Sequence, residues 1–240
     1  MVTTLYLVRH GETEGSRQMR YKGSIDVPMS EKGFEQIRST SAFIQDQLKE
    51  ASYAKYAKYL YDIQSSAEKN KSLPAQGNLK APENEIIRLN AVYTSGLSRA
   101  ATGAKIIAAL YGLKPVVLHD LRERHFGIWE GMSFLEIREK YPETFNAWAE
   151  DPLLYSPPEG ESTIEVRDRV INVLDSILSR HPDEHIAVVA HGGVNRIILC
   201  HVLGIPLENI FRIEQDYGGL NIIEFWDKYP VVKLINGTKK

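Results

Sequence analysis

Two histidines in this chain each follow an apolar run and precede a glycine. His10 comes after Leu5–Val8 and Arg9, and His191 comes after the apolar run 186–190. An apolar run of this length predicts a buried strand, and a glycine at its end lets the backbone turn away sharply. The ends of parallel strands are where open α/β sheets bind ligands. The pattern therefore predicts that both imidazoles lie at one edge of a sheet, where they could do chemistry.

A third strand candidate, Ala91–Thr94, leads into a turn that carries an arginine. If the three strands are neighbours, four side chains meet at one edge of the sheet: Arg9, His10, Arg99 and His191. Two guanidinium and two imidazole groups form a site for a tetrahedral dianion, because the planar fork of arginine matches phosphate oxygens. Backbone N–H groups at the start of the helix after Gly193 would add to this site. Each of these residues alone more often has a structural or surface role, so the prediction depends on the combination.

Strands and helices alternate along the chain and must position these residues. The periodicity predicts strands at Val2–Val8, Ala91–Thr94, Val116–Leu118, His185–Ala190, Leu220–Trp226 and Val231–Ile235. It predicts helices at 31–48, 99–111, 134–141 (capped by Ser133 and broken by Pro142), 163–180 and 194–203. Such alternation predicts an α/β fold, a three-layer α/β/α sandwich with a mostly parallel central sheet and an antiparallel edge. We expect one domain over residues 1–240.

Residues 51–84 form an excursion from this pattern. Apolar and tyrosine residues keep a helical spacing as far as Ile63, whereas Ser65–Asn84 is rich in Ser, Lys, Asn, Gln, Pro and Ala, which predicts an exposed loop. The segment is interpreted either as a helix extension with a mobile excursion or as a lid whose tyrosines face a substrate. Residues 51–63 lack the strong basic face of a membrane-surface helix, which favours partial burial within the protein or at a homodimer interface.

Composition excludes several classes of protein. Hydrophobic residues make up 43% and charged residues 25% of the 240, enough to bury a core. The net charge of −2 argues against nucleic-acid binding, which usually needs a basic surplus. A single cysteine, Cys200, excludes an intrachain disulfide, and neither a signal peptide nor a bilayer-spanning run is evident, so we expect a cytoplasmic protein without a membrane partner. No metal-ligand spacing is present, so we expect no metal and no cofactor.

The segment Leu7–Thr13, which reads LVRHGET, resembles the signature of the histidine phosphatase superfamily, which includes the cofactor-dependent phosphoglycerate mutases. Four further segments are similar to segments of that family and occur in the same order: 23–33, 94–100, 121–131 and 190–193. The resemblance covers nearly the whole chain and implies the phosphoglycerate mutase-like fold.

The resemblance also implies a role for each matching position. His10 would be the nucleophile that becomes phosphorylated. Three groups would clamp the phosphoryl oxygens and stabilise charge in the transition state: Arg9, Arg99 and His191. Glu123 would be the general acid that protonates the leaving alcohol and later activates water. The implied phosphate-binding set is completed by Ser16, where many members carry Asn, by Gly23 and by Gly192.

The segment 130–161 is similar to the shorter, phosphatase-like members, above all the α-ribazole phosphatase-like proteins and broad-specificity phosphatases. This implies a metal-independent phosphatase of the histidine acid type, hydrolysing a small phosphorylated metabolite, with α-ribazole 5′-phosphate as one candidate. One alternative is a cofactor-dependent phosphoglycerate mutase. A second is a non-catalytic phosphate-binding regulatory module, whose mark would be the loss of His10 or Glu123; both are present.

Overall fold

A computed structural model of the chain describes residues 2–18, 20–69 and 87–239, and of residues 55–69 it describes the backbone alone. Within these residues, six strands form one sheet in the order β3-β2-β4-β1-β5-β6. The strands are β1 Val2–Arg9, β2 Ala91–Thr94, β3 Val116–Val117, β4 His185–Ala190, β5 Leu220–Trp226 and β6 Pro230–Gly237. All six strand predictions from the sequence are confirmed, with shifts of one or two residues at some ends.

The three strands that precede the candidate residues are neighbours in the sheet. β4 pairs in parallel with β1 on one side and with β2 on the other. The register places Arg9 opposite Ala190 and Thr94 opposite Val189, so the carboxyl ends of the three strands lie at one edge. β1 also pairs antiparallel with β5, and β5 antiparallel with β6, which confirms the predicted antiparallel edge.

Helices cover both faces of the sheet. They are α1 Glu31–Lys69, α2 Ser98–Ala109, α3 Phe134–Lys140, α4 Pro142–Glu150, α5 Thr163–Arg180 and α6 Gly192–Leu203. On one face, Val188 of β4 joins a buried cluster with Val170 of α5 and Ile198 of α6. Val189 points to the opposite face, where a Cβ added at Gly103 of α2 would lie 3.3 Å from it. The predicted α/β class is confirmed.

One prediction about a helix end was wrong, and one helix was not predicted. The predicted loop starting at Ser65 begins too early, because α1 continues to Lys69; the rest of that loop and the lid interpretation lie outside the described residues. Pro142 ends α3 as predicted but also starts α4, which the sequence analysis missed. Proline is tolerated at the first helical position, where its missing N–H has no partner to lose. The cap at Ser133 is present, since its Oγ accepts from the N–H of Glu136 at 3.3 Å.

The contacts divide the chain into two compact units, Met1–Ser41 with Leu89–Lys240, and Ala42–Arg88. The first unit contains the sheet and every candidate site residue. The single domain over residues 1–240 with an excursion at 51–84 stays a prediction. No helix among the described residues is long and apolar enough to cross a membrane.

Candidate active site

His10 follows the last residue of β1 and is 7% exposed. Its Nδ1 lies 2.7 Å from the carbonyl oxygen of Gly11. A carbonyl oxygen only accepts, so Nδ1 carries the ring proton and Nε2 keeps its lone pair. Burial, followed by the charges of Arg99 and Arg9, holds the pKa of His10 well below its ordinary value. The imidazole is therefore neutral at neutral pH, the form that a nucleophile requires.

His191 follows β4, is fully buried and packs against His10 with 5.1 Å between the ring centroids. Its Nε2 lies 2.8 Å from Oγ of Ser95, which also accepts the N–H of Leu97 at 3.3 Å. We assign the serine hydroxyl as the donor to Nε2, and with this assignment the ring proton of His191 is on Nδ1. Nδ1 is buried and makes no hydrogen bond to the described residues, which marks it for a ligand acceptor.

We expect Ser95→Ala to lower kcat/KM for a phosphomonoester about tenfold, the effect of one hydrogen bond to a group that carries or faces charge. Alanine removes the donor that fixes the tautomer of His191. Ser98→Ala is the matched control, because the buried Oγ of this neighbouring, partly buried serine makes no hydrogen bond to the described residues. Steady-state kinetics of the two variants would contradict the assignment if both kept the wild-type kcat/KM.

Arg9 is held from two sides at the end of β1. Its Nη1 donates to the carbonyl of Gln215, and its guanidinium carbon lies 3.9 Å from the centroid of the Tyr217 ring. The same tyrosine ring lies 5.7 Å from the ring of His10. Nε of Arg9 is buried without a hydrogen bond to the described residues, and a Cβ added at Gly192 would lie 3.3 Å from it. Gly192 therefore leaves room beside a cation that still has an N–H to donate.

Arg99, in the first turn of α2, is 2% exposed and is fixed by two backbone carbonyls. Nη1 donates to Ile25 and Nη2 donates to Gly23, both at 2.7 Å. Gly23 is needed for a local reason, because its φ is +41° and an added Cβ would lie 2.3 Å from Oε1 of Glu130. The structure thus links Gly23 to the site through Arg99.

Glu123 reaches the site from the other side and is anchored by two backbone N–H groups. Oε1 accepts from Arg124 and Oε2 accepts from Gly193, both at 3.0 Å. A Cβ at Gly193 would lie 2.4 Å from Oε1, so only glycine permits this approach. The N–H of Gly193, at the helix start that we expected to bind phosphate, donates to the carboxylate of Glu123.

These side chains open onto a cavity of about 500 Å³. Seven predicted site residues line it: Arg9, His10, Ser16, Gly23, Arg99, Glu123 and Gly192. His191, the eighth, packs against His10 and is fully buried. The hydroxyl of Ser16 is already engaged, since Oγ lies 2.8 Å from Oγ1 of Thr13 and accepts the N–H of Thr13 at 3.1 Å.

Sequence reasoning missed Lys22, Ser95 and Tyr217. Lys22 lines the cavity and donates from Nζ to Oγ1 of Thr13 at 2.9 Å, and burial lowers its pKa. Ser95 had a usable signal, because it directly follows a strand just as both histidines do. Tyr217 had no such signal, because no sequence pattern relates this residue, in the loop before β5, to Arg9 and His10 at the end of β1.

The profile of the histidine phosphatase superfamily, branch 1, matches residues 5–54 and 76–238 of the sequence. The chain belongs to this superfamily. The resemblance stated from the sequence is therefore confirmed.

Relatives within this superfamily match nearly the whole chain. Phosphoserine phosphatase 1 of Hydrogenobacter thermophilus is 27% identical, over 98% of this chain and 92% of its own length. The adenosylcobalamin/α-ribazole phosphatase of Escherichia coli is 21% identical, over 97% of this chain and 95% of its own length. The solved structure of YhfR from Bacillus stearothermophilus is 28% identical, covers 99% of this chain and 98% of its own, and superposes with a TM-score of 0.74. The predicted similarity to phosphatase members of the superfamily is confirmed.

The two buried histidines of this protein should link its folding to pH. Burial is the largest cause that holds the pKa of His10 and of His191 well below the ordinary value, so both stay neutral when the chain is folded. In the unfolded chain each binds a proton below about pH 6.5. The unfolded state then carries two more protons than the folded state, so stability is fully present above that pH and is lost as the pH falls.

We expect the free energy of unfolding to fall with pH below about pH 6.5, and the contribution of these two groups to approach roughly 2.7 kcal/mol per pH unit once both are protonated in the unfolded chain. Denaturant unfolding of the wild type and of a His10→Asn, His191→Asn double variant between about pH 7.5 and about pH 5 measures this slope. In the double variant, the slope of the free energy of unfolding against pH should be smaller by the contribution of two protons. Equal slopes would show that the two imidazoles are protonated in the folded protein.

Proposed function

We propose that this chain is a phosphomonoester hydrolase that acts through a phosphohistidine at His10. The observation that carries the proposal is a buried, neutral imidazole whose Nε2 keeps its lone pair, beside the half-buried guanidinium of Arg9 and the buried guanidinium of Arg99. Attack on a phosphate dianion requires a nucleophile that is not itself negatively charged. It also requires fixed cations nearby, which offset the negative charge of the phosphate.

In the first step, Nε2 of His10 attacks phosphorus and the bond from phosphorus to the alcohol oxygen breaks. Glu123 gives its proton to that oxygen, so the alcohol leaves neutral. In the second step, Glu123 takes a proton from water, the water oxygen attacks the phosphohistidine, and the nitrogen–phosphorus bond breaks. Inorganic phosphate leaves and both side chains return to their starting states. Arg9, Arg99 and His191 hold the phosphoryl oxygens during both displacements.

The charge on this path is balanced by protein side chains, and we therefore propose that no metal ion takes part. Lys22 also lines the cavity, and its charge acts on His10 together with the charges of Arg9 and Arg99. The substrate we propose is a small phosphorylated metabolite. Two of the relatives are named for phosphoserine and for α-ribazole, and both esters belong in the test. The cytoplasm is the location we propose, since Cys200 is free and buried.

The test is phosphate release from a panel of phosphomonoesters in excess EDTA. The panel contains α-ribazole 5′-phosphate, O-phosphoserine, 3-phosphoglycerate and p-nitrophenyl phosphate. We expect release that EDTA does not lower, and the best substrate indicates the metabolite. Release that EDTA abolishes and added metal restores would overturn the proposed mechanism. Interconversion of 2- and 3-phosphoglycerate without release would favour the mutase, and neither activity would favour a non-catalytic binding module.

A further inference from the structure

The wall of the cavity beyond the phosphate end is aromatic. We call it the aromatic chamber and define it by six lining residues: Phe126, Trp129, Phe134, Phe145, Trp148 and Phe211. Three of these residues lie on the α3–α4 pair: Phe134, Phe145 and Trp148. No catalytic step proposed above uses these rings, so their presence calls for a separate explanation.

Four of the rings form one continuous packed surface. The ring centroids of Phe134 and Phe145 are 4.9 Å apart in an edge-to-face arrangement, and those of Phe145 and Trp148 are 5.8 Å apart. Trp148 continues the surface to Trp129, with 6.3 Å between centroids and perpendicular planes. These are the spacings of favourable aromatic pairs, so the wall is preformed. A preformed apolar wall favours a ligand group that is itself flat and apolar.

Three further arginines line the cavity beside the aromatic chamber, and each already has a partner. Arg20 donates to both carboxylate oxygens of Glu136, at 2.7 and 2.8 Å. Arg124 donates from Nε to the carbonyl of Glu161 at 2.6 Å and from Nη2 to that of Tyr155 at 3.2 Å.

Arg196 is engaged as well. It donates from Nε to Ile213 at 2.7 Å and lies 3.9 Å from Glu214. Among the described residues that line the cavity, Glu123 is the one acidic residue, and we propose that it acts as the general acid. The ammonium group of an amino-acid ester would therefore meet no second anion here.

We propose that the aromatic chamber binds an uncharged aromatic group on the alcohol side of the substrate. The proposal rests on the proposed phosphatase function and adds the substrate class to it. It disfavours O-phosphoserine, whose ammonium and carboxylate would have to leave water for an apolar wall.

The test uses esters with the same kind of leaving group, so that only the distal group differs. Ethyl phosphate, 2-phenylethyl phosphate and O-phosphoserine all release a primary alcohol. We expect kcat/KM for the phenylethyl ester to exceed that for ethyl phosphate by roughly 10- to 100-fold, the effect of burying one phenyl ring. O-phosphoserine should be no better than ethyl phosphate. Equal values for the ethyl and phenylethyl esters, or O-phosphoserine as the best of the three, would overturn the proposal.

Variants locate the effect within the chamber. Trp148→Ala should lower the phenylethyl-to-ethyl ratio about tenfold, and Phe211→Ala should lower it in the same direction. Phe211 is 76% exposed, so its removal leaves the core intact if Trp148→Ala fails to fold. Trp226→Ala, at a 50% exposed tryptophan that does not line the cavity, is the matched control and should keep the wild-type ratio. An unchanged ratio in the folded chamber variants would overturn the proposal.

Binding separates this proposal from the one on which it rests. 2-Phenylethylphosphonate and ethylphosphonate cannot be hydrolysed, so calorimetry measures the contribution of the ring even if the chain turns over no ester. Tighter binding of the phenylethyl compound without turnover would sustain the chamber and overturn the phosphatase. Equal binding of the two phosphonates would overturn the chamber whatever the turnover.

Discussion

His10→Ala should lower kcat for phosphomonoester hydrolysis by about 10⁴-fold or more, the scale of loss when a covalent nucleophile is removed. The cations at Arg9 and Arg99 still bind the dianion in this variant, so KM should change far less than kcat. What is lost is the atom that accepts the phosphoryl group. Water cannot take its place in the first step, because Glu123 must then be protonated to release the alcohol and is not available as a base.

Two measurements check this prediction. Steady-state phosphate release gives the loss in kcat, with His201→Ala as the matched control, since His201 is an exposed histidine of α6. Denaturing quench during turnover of a radiolabelled ester should trap acid-labile, base-stable phosphate on the wild type and on the control, and none on His10→Ala. Label on the His10→Ala protein, or a kcat within tenfold of wild type, would remove His10 from the nucleophile role.

Glu123→Gln should slow hydrolysis of ethyl phosphate by about 10³-fold and of p-nitrophenyl phosphate by less than about tenfold. Ethanol is a poor leaving group that must be protonated as the phosphorus–oxygen bond breaks, whereas p-nitrophenolate leaves without a proton. The nitrophenyl ester therefore serves as an internal control for damage to the site, because glutamine cannot accept both N–H groups that hold Glu123.

The comparison is made from kcat with both esters on three proteins: wild type, Glu123→Gln and Glu208→Gln. Glu208 is an exposed carboxylate of the 3₁₀ turn after α6, so its substitution should leave both reactions unchanged. Equal losses for the two esters in Glu123→Gln would mean that the carboxylate positions other groups and does not donate the proton.

The sequence predicts the site residues that directly follow buried strands. Buried apolar runs such as 186–190 leave little choice but a central strand, and a His–Gly pair after such a run predicts a side chain at the sheet edge. Two strands end in this way. Because these strands pair in parallel, His10 and His191 lie next to each other. The family motifs then assign Arg99 and Glu123, whose types alone are those of ordinary surface residues.

The other residues of the cavity could not be predicted, because they depend on contacts between segments that no sequence pattern relates. Tyr217 covers Arg9 from a loop more than two hundred positions later in the chain, and no local pattern relates them. The aromatic chamber is similar, because Phe145 and Trp148 lie on a helix that the sequence analysis missed at Pro142. A proline after a helix has two local meanings, a stop or a first position, and only packing of the following turn decides between them.

The pairing of β1 with β4 has a consequence for how new activities can be built on this scaffold. Paired strands are about 4.8 Å apart, so the sheet fixes the distance between Arg9 and Ala190, the residues that directly precede the two histidines. The α3–α4 segment contributes no residue to that pairing. An exchange of residues 133–151 would therefore change part of the aromatic chamber and leave the register of β1 and β4 as it is.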